Sequence, residues 1–195
     1  MAGARIHVNI DAVVKGLEKK KEMSKKVLQR TVGDMRTRGP GWVSKAVREE
    51  YAISAGDVKS ACHPEKGGAI SFGGTVVDDV ALVYKGRLLT PTHFKMKPTA
   101  RPATRSYKVS AEIKKGHRKV LSSKAFLAHS SSGGGKSIPF QRTGTSRLPI
   151  EAIKTLSVPQ MVVDGNGKMK PKVDKAINEN LKKRFEHYQK QFLSK

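Results

Sequence analysis

Residues Ala125 to Met161 constrain the fold of this chain more than any other stretch. Ala125-Phe126-Leu127 is a short apolar run. A Ser/Gly-rich connection, Ser130 to Lys136, follows it and leads into Ile138-Pro139-Phe140-Gln141-Arg142-Thr143-Gly144. The stretch continues through Ser146-Arg147-Leu148-Pro149-Ile150 and ends at Leu156-Ser157-Val158-Pro159-Gln160-Met161. Two apolar runs separated by glycine and serine predict two short strands with a flexible connection, because those residues supply unusual dihedrals and little core material. Pro149 and Pro159 each favour an extended residue before them, so the tail is expected to stay extended and not to coil into a helix.

The rest of the chain predicts helices at both ends. Arg5 to Ile10 alternates apolar and polar residues and suits a short strand. Asp11 can cap a helix running from about Ala12 to Arg36, with Val13, Leu17, Val27, Leu28, Val32 and Met35 as an imperfect apolar stripe. The run Lys19-Lys20-Lys21 with Lys25 and Lys26 covers the other face, as on an ordinary solvated helix. Gly39-Pro40-Gly41 is expected to break that helix, with a second one from Trp42 to about Tyr51. Ser54-Ala55-Gly56-Asp57 has the form of a capping box, which predicts a short helix over Asp57 to Cys62. At the other end Val173, Ile177, Leu181, Phe185, Tyr188 and Phe192 recur every three or four residues. They mark an amphipathic helix beginning near Pro171, and Ile177 to Phe192 are its candidate core or subunit contacts.

Between these helices the pattern is β. Pro64 to Gly74 reads as turns. Val80, Leu82 and Tyr84 then alternate with Ala81 and Val83, and Lys85-Gly86 offers a hairpin into Arg87-Leu88-Leu89. Lys95 to Thr104 is basic and interrupted by Pro98 and Pro102, as in a loop or a β-edge. Tyr107, Val109, Ala111 and Ile113 alternate with Lys108, Ser110, Glu112 and Lys114, which predicts a strand apolar on one face and cationic on the other. Gly116 allows a turn, and Val120-Leu121 starts the return. The fold class is therefore α+β: N-terminal helices over residues 1–62, a central, mostly antiparallel β-rich core over 63–163, and a C-terminal amphipathic helix over 168–195, packed on or beside the sheet. At 195 residues the whole suits one domain.

Charge narrows the class of partner. The formal net charge is +23, far beyond what solubility needs, and it implies an anionic partner or surroundings. It is uneven, since residues 63–150 carry 16 basic and 4 acidic side chains and Glu112 is the only acid between Val80 and Ile150. Lys95, Lys97, Arg101, Arg105, Lys108, Lys114, Lys115, Arg118 and Lys119 form a candidate basic patch that docks on a partner or faces DNA. A finger, an arginine-rich arm and an RNA-recognition aromatic signature are all missing, so contact with nucleic acid would be to phosphates, without reading sequence.

Enzyme chemistry finds little support. Gly133-Gly134-Gly135-Lys136-Ser137 ends like a phosphate-binding loop, but Ser130 stands where the pattern needs glycine, and a strand rather than a helix is expected next. The single Cys62 rules out an internal disulfide, and the histidines lack metal-site spacing. Asp78 and Asp79 are adjacent, so on a strand they point to opposite faces. Neither catalytic residues nor cofactor or metal ligands are assigned. The N-terminus has no signal-peptide core and no apolar run is long enough to span a membrane, so the chain is expected to be made and assembled in the cytoplasm.

The order of pieces in Ala125 to Met161 closely resembles the phage minor tail protein Z family, tail-completion proteins similar to lambda protein Z. The resemblance lies in the Ala-Phe-Leu strand, the Gly-rich turn, Phe140-x-Arg142-x-Gly144, Arg147-Leu148-Pro149-Ile150 and Ser157-Val158-Pro159-Gln160-Met161. Leu88-Leu89-Thr90-Pro91-Thr92-His93-Phe94 and Tyr107 to Lys119 are similar too. The likeness covers roughly the last 115 residues. It implies a structural virion protein of the tail neck, a homo-oligomer forming a hexameric ring, assembled in the host cytoplasm and joining tail to head. Its implied partners are the tail terminator, the tail tube and the head-closure protein, with DNA contact in the channel transient and no membrane. On that reading the basic patch meets acidic protein neighbours, since a channel that grips DNA would slow its passage. A non-catalytic basic nucleic-acid-binding protein, of ribosomal or nucleoid type, is the alternative that composition alone allows.

Overall fold

The computed structural model describes residues 2–6, 21–72, 75–104, 106–129, 137–163 and 167–193. The expected strand beyond Ile6, the helix start before Lys21, Arg105, the Ser130–Lys136 connection and the Asp164–Asn166 loop lie outside the described residues. The architecture is α+β, with helices towards both ends and antiparallel sheets between them. Three separate three-stranded sheets form in place of one larger sheet.

The first sheet has the order β1-β3-β2, with β1 at Ala2–Ile6, β2 at Cys62–Phe72 and β3 at Thr75–Gly86. The glycine-rich stretch expected to turn is therefore most of a strand. An irregularity between Lys66 and Ala69 absorbs Gly67 and Gly68, and a Cβ on Gly67 would lie 3.1 Å from Asp79 Cβ. The expected hairpin after Gly86 does not form. The Leu89 N–H donates to Leu156 O (3.2 Å) and the Thr155 N–H to Leu89 O (2.7 Å), so the chain leaves β3 to meet a distant segment.

Helix α1 spans Lys21–Glu50 without interruption and contains Pro40. The expected break at Gly39-Pro40-Gly41 is overridden by burial. Leu28, Val32, Met35, Val43 and Val47 share one core with Leu82 and Tyr84 of β3, and Gly39 falls in the same stripe. A Cβ on Gly39 would lie 2.9 Å from Leu82 Cδ1 and 3.2 Å from Met35 Sδ, so glycine is what lets helix and sheet approach this closely. Gly33, on the exposed side, has nothing within 4 Å of a Cβ position. Two opposite results are expected from denaturant titration. Gly39→Val should lose about 2–3 kcal/mol by overpacking, whereas Gly33→Ala should gain about 0.5–1 kcal/mol of helix propensity. A stable Gly39→Val variant would mean that α1 is not held against Leu82.

Helix α2, Ala55–Ser60, starts at Ser54, whose Oγ accepts from the Asp57 N–H at 3.0 Å, as the capping box requires. The second sheet, β4-β5-β6, comprises Lys95–Lys97, Ser110–Lys114 and His117–Val120, with the β5–β6 turn at Gly116 (φ 76°). The predicted strand is shorter than expected, because Tyr107 leaves the ladder and its hydroxyl accepts from the Leu127 N–H at 2.8 Å. The third sheet, β7-β8-β9, comprises Phe126–His129, Ser137–Arg142 and Ile150–Ala152. Met96, Val109, Ala125 and Leu127 form a small second core shared by the second and third sheets.

The tail after Ile150 does coil, against expectation. Helix α3 spans Val158–Val163, with Pro159 in the first turn, where its missing N–H costs nothing. Ser157 caps it. The Ser157 N–H donates to Gln160 Oε1 (2.9 Å) and the Gln160 N–H to Ser157 Oγ (3.4 Å), a reciprocal box legible as Ser-x-x-Gln. Helix α4, Met169–Leu193, then packs on α1 and α3, so it stands beside the first sheet with α1 between.

Candidate interaction surface

Eight of the nine predicted basic residues are described, and they fall on several strands, faces and irregular segments. Lys95 and Lys97 lie on β4, the outer strand of the second sheet, and Lys95 pairs across to Glu112 and on to Arg118. Glu112 takes both cations, Lys95 at 3.8 Å and Arg118 at 3.6 Å, and Arg118 also donates to Lys95 O at 3.1 Å. Lys119 falls on the opposite face of the ladder from Arg118. An irregularity between Glu112 and Lys114 re-aims Lys114, which was expected beside Glu112. Its ammonium sits 5.6 Å from the Tyr51 ring centroid and 3.5 Å from Glu50 Oε1. The Lys115 N–H donates to Glu50 O at 2.8 Å, tying the second sheet to the end of α1. Arg101 and Lys108 are exposed in irregular segments. Lys97, Arg101, Lys108 and Lys119 form no ion pair among the described residues.

A cleft of about 690 Å³ runs along β4. Phe94, Lys95, Met96 and Lys97 line it together with Arg118, His129 and Ser137. A second cleft of about 770 Å³ lies where α2 meets the end of β3, and its rim holds His93 Nδ1 3.1 Å from Asp57 Oδ1. Among the described residues there is no group of three or more metal-ligating side chains, and no helix is long and apolar enough to cross a membrane.

The most exposed feature belongs to the third sheet. Every residue from Arg142 to Ile150 is exposed, and Leu148 is 67% exposed. The loop is nevertheless shaped, because the Thr143 N–H and Oγ1 both donate to Pro149 O at its base, at 3.3 and 3.2 Å. Arg142 also lies 5.7 Å from the Phe126 ring centroid.

The C-terminal stripe is placed differently along its length. Ile177, Leu181 and Phe185 are buried, while Tyr188 and Phe192 are half-buried around Phe185 and Val27. Sequence reasoning missed the polar network beside them. Asp34, on α1, accepts from the Arg184 guanidinium and from the Tyr188 hydroxyl (3.0 Å), and pairs with Arg38 (3.1 Å). Periodicity does place Asp34 next to Met35 on the buried side of α1, which was the available signal.

Among the described residues, one buried polar atom lacks a nitrogen or oxygen hydrogen-bond partner. Tyr84 Oη is enclosed, with the weakly bonding Cys62 thiol beside it across the β2–β3 ladder, and burial raises both the phenol and the thiol above their ordinary values. Removing an unsatisfied hydroxyl removes its desolvation penalty, so Tyr84→Phe should leave stability unchanged or raise it by about 1 kcal/mol. A clear loss on thermal unfolding would show that the hydroxyl has a partner.

No family model, curated protein or solved structure matches this chain.

Proposed function

We propose that this chain is a non-catalytic assembly protein of the tail-completion kind. It forms a ring, six-fold by tail symmetry, at the head-proximal end of a phage tail and helps join tail to head. The observation that supports this reading is the exposed run 142–150. It lies inside the segment that carries the resemblance, its base is closed by hydrogen bonds, and its Leu148 contributes nothing to either core. A shaped, exposed loop bearing an apolar residue and two arginines suits contact with a neighbour.

Native mass measured alone and with tail-tube protein tests the proposal. A ring or a tube-bound assembly is expected. A loop variant carrying Arg147→Glu and Leu148→Ser should keep its melting temperature and lose tail joining. A monomer at one copy per intact tail would overturn the ring. The rival reading, a basic nucleic-acid-binding protein, draws on the net charge of +23 and the unpaired Lys97, Arg101, Lys108 and Lys119. Salt-sensitive DNA retention by an isolated monomer that never assembles would favour it.

A further inference from the structure

The cleft along β4 has a charge imbalance and a repeat. Among the described residues, no acidic side chain lines it. Lys97 has no ion pair among the described residues, and Lys95 and Arg118 share the single carboxylate of Glu112 at 3.8 and 3.6 Å. Both contacts are long, and the Lys95 side chain is 66% exposed, so an incoming anion can compete for it. Lys95 and Lys97 share one exposed face of β4, whereas Met96 between them is buried on the other face and Phe94 is buried just before them. Residues two apart on a strand are spaced about 6.6–6.8 Å, and any extended peptide shares that repeat.

We propose that this cleft binds an extended acidic segment of a neighbouring protein, one in which acidic and small apolar residues alternate. The alternate carboxylates meet Lys95 and Lys97, with Arg118 closing on one of them. The residues between point away from Lys95 and Lys97 and need carry no charge. The Met96 N–H is already bonded to Phe94 O (2.8 Å), so side-chain charge rather than a full backbone ladder carries recognition. A nucleic-acid duplex fits less well. It needs a broad cationic track, and Lys108, Lys115 and Lys119 do not line the cleft. The neighbour's identity rests on the assembly reading, whereas the binding chemistry belongs to the isolated chain.

The test is titration of the full chain with a labelled peptide alternating glutamate and valine. The controls are a peptide of the same composition with its glutamates in one block, and a single-stranded oligonucleotide of equal charge. The alternating peptide should bind about tenfold tighter than the blocked one, and Lys97→Glu, at an exposed side chain, should weaken it about tenfold, a difference of roughly 1.4 kcal/mol. Lys95→Gln should weaken it less, and Lys182→Glu, exposed on α4, should leave it unchanged. Absent binding, equal binding of both peptides, or equal loss with Lys182→Glu would overturn the proposal. So would an oligonucleotide that binds more tightly than the peptide and is released by Lys97→Glu, which would make the cleft a phosphate site. Peptide binding by a chain that never assembles would sink the assembly reading alone. Assembly and joining untouched by Lys97→Glu would sink the cleft alone.

Discussion

Phe185→Ala is expected to lower the stability of the fold by about 3 kcal/mol, the low end for truncating a buried aromatic. Phe185 is 8% exposed and packs with Val27, Tyr188 and Phe192 in a satellite of the main core. Its position near the open end of the α1–α4 pair leaves the site some freedom to collapse, which moderates the loss. Ile177, wholly enclosed in the main core, should cost at least as much when cut to alanine, about 3–4 kcal/mol. Urea unfolding reads both. An unchanged midpoint for Phe185→Ala would show that the α4 stripe does not pack on α1.

The second large effect belongs to Asp34. Burial alone would raise its carboxyl. Hydrogen bonds from Arg184 and Tyr188, together with the charges of Arg184 and Arg38, overcome that and hold it below its ordinary 3.8. Replacing it by asparagine leaves a guanidinium and a hydroxyl without their anion and should cost about 2–3 kcal/mol at neutral pH. The sign with pH follows from proton binding. The unfolded carboxyl takes up its proton first as the pH falls, so the stabilisation is complete above the ordinary carboxylate range and is lost on acidification through it and below. Glu50 behaves alike: the hydrogen bond from Lys172 is the main cause, with Lys114 adding to it, and together they outweigh burial. The parent chain should therefore lose stability on acidification more steeply than Asp34→Asn. Parallel curves for the two would mean that folding does not change the proton affinity of Asp34.

These residues also show how far the sequence could be read. The α4 stripe was legible because a period of three or four residues over 25 residues has one geometric meaning. Two of the three strands of the third sheet, β7 and β8, were legible because apolar runs flank a turn-forming connection. The helix through Pro40 was not. Local rules place a break at Gly-Pro-Gly, and what overrides them is burial against Leu82, a residue more than 40 positions away. Pro159 misled in the opposite direction, since a proline that stops a helix in mid-run is welcome in its first turn, and the Ser157–Gln160 box that marks the start is written in the sequence. The arrangement of the basic residues was not legible for a third reason. Sequence proximity gathers charges, but strand pairing and one irregularity at β5 send Lys114, Lys119 and Arg118 in different directions. The cleft that remains needs His129 and Ser137, which only folding brings to β4.

The separation of the two cores has a bearing on motion. Met96, Val109, Ala125 and Leu127 pack apart from the cluster that holds α1, α4 and β3. Backbone hydrogen bonds join the halves, from Glu50 and Ala52 to the end of β5 and from Leu89 to Thr155 and Leu156, together with the Lys114 contacts to Glu50 and Tyr51 and the packing of Phe94 and Ile113 on the main core. A small apolar cluster opens at lower free energy than a large one, so the smaller core can act as its own cooperative unit. The exposed loop and the β4 cleft both sit on that half. They could therefore order and tighten against a neighbour while the helical layer stays shut, so that the assembly proposed above would need local locking and no global refolding.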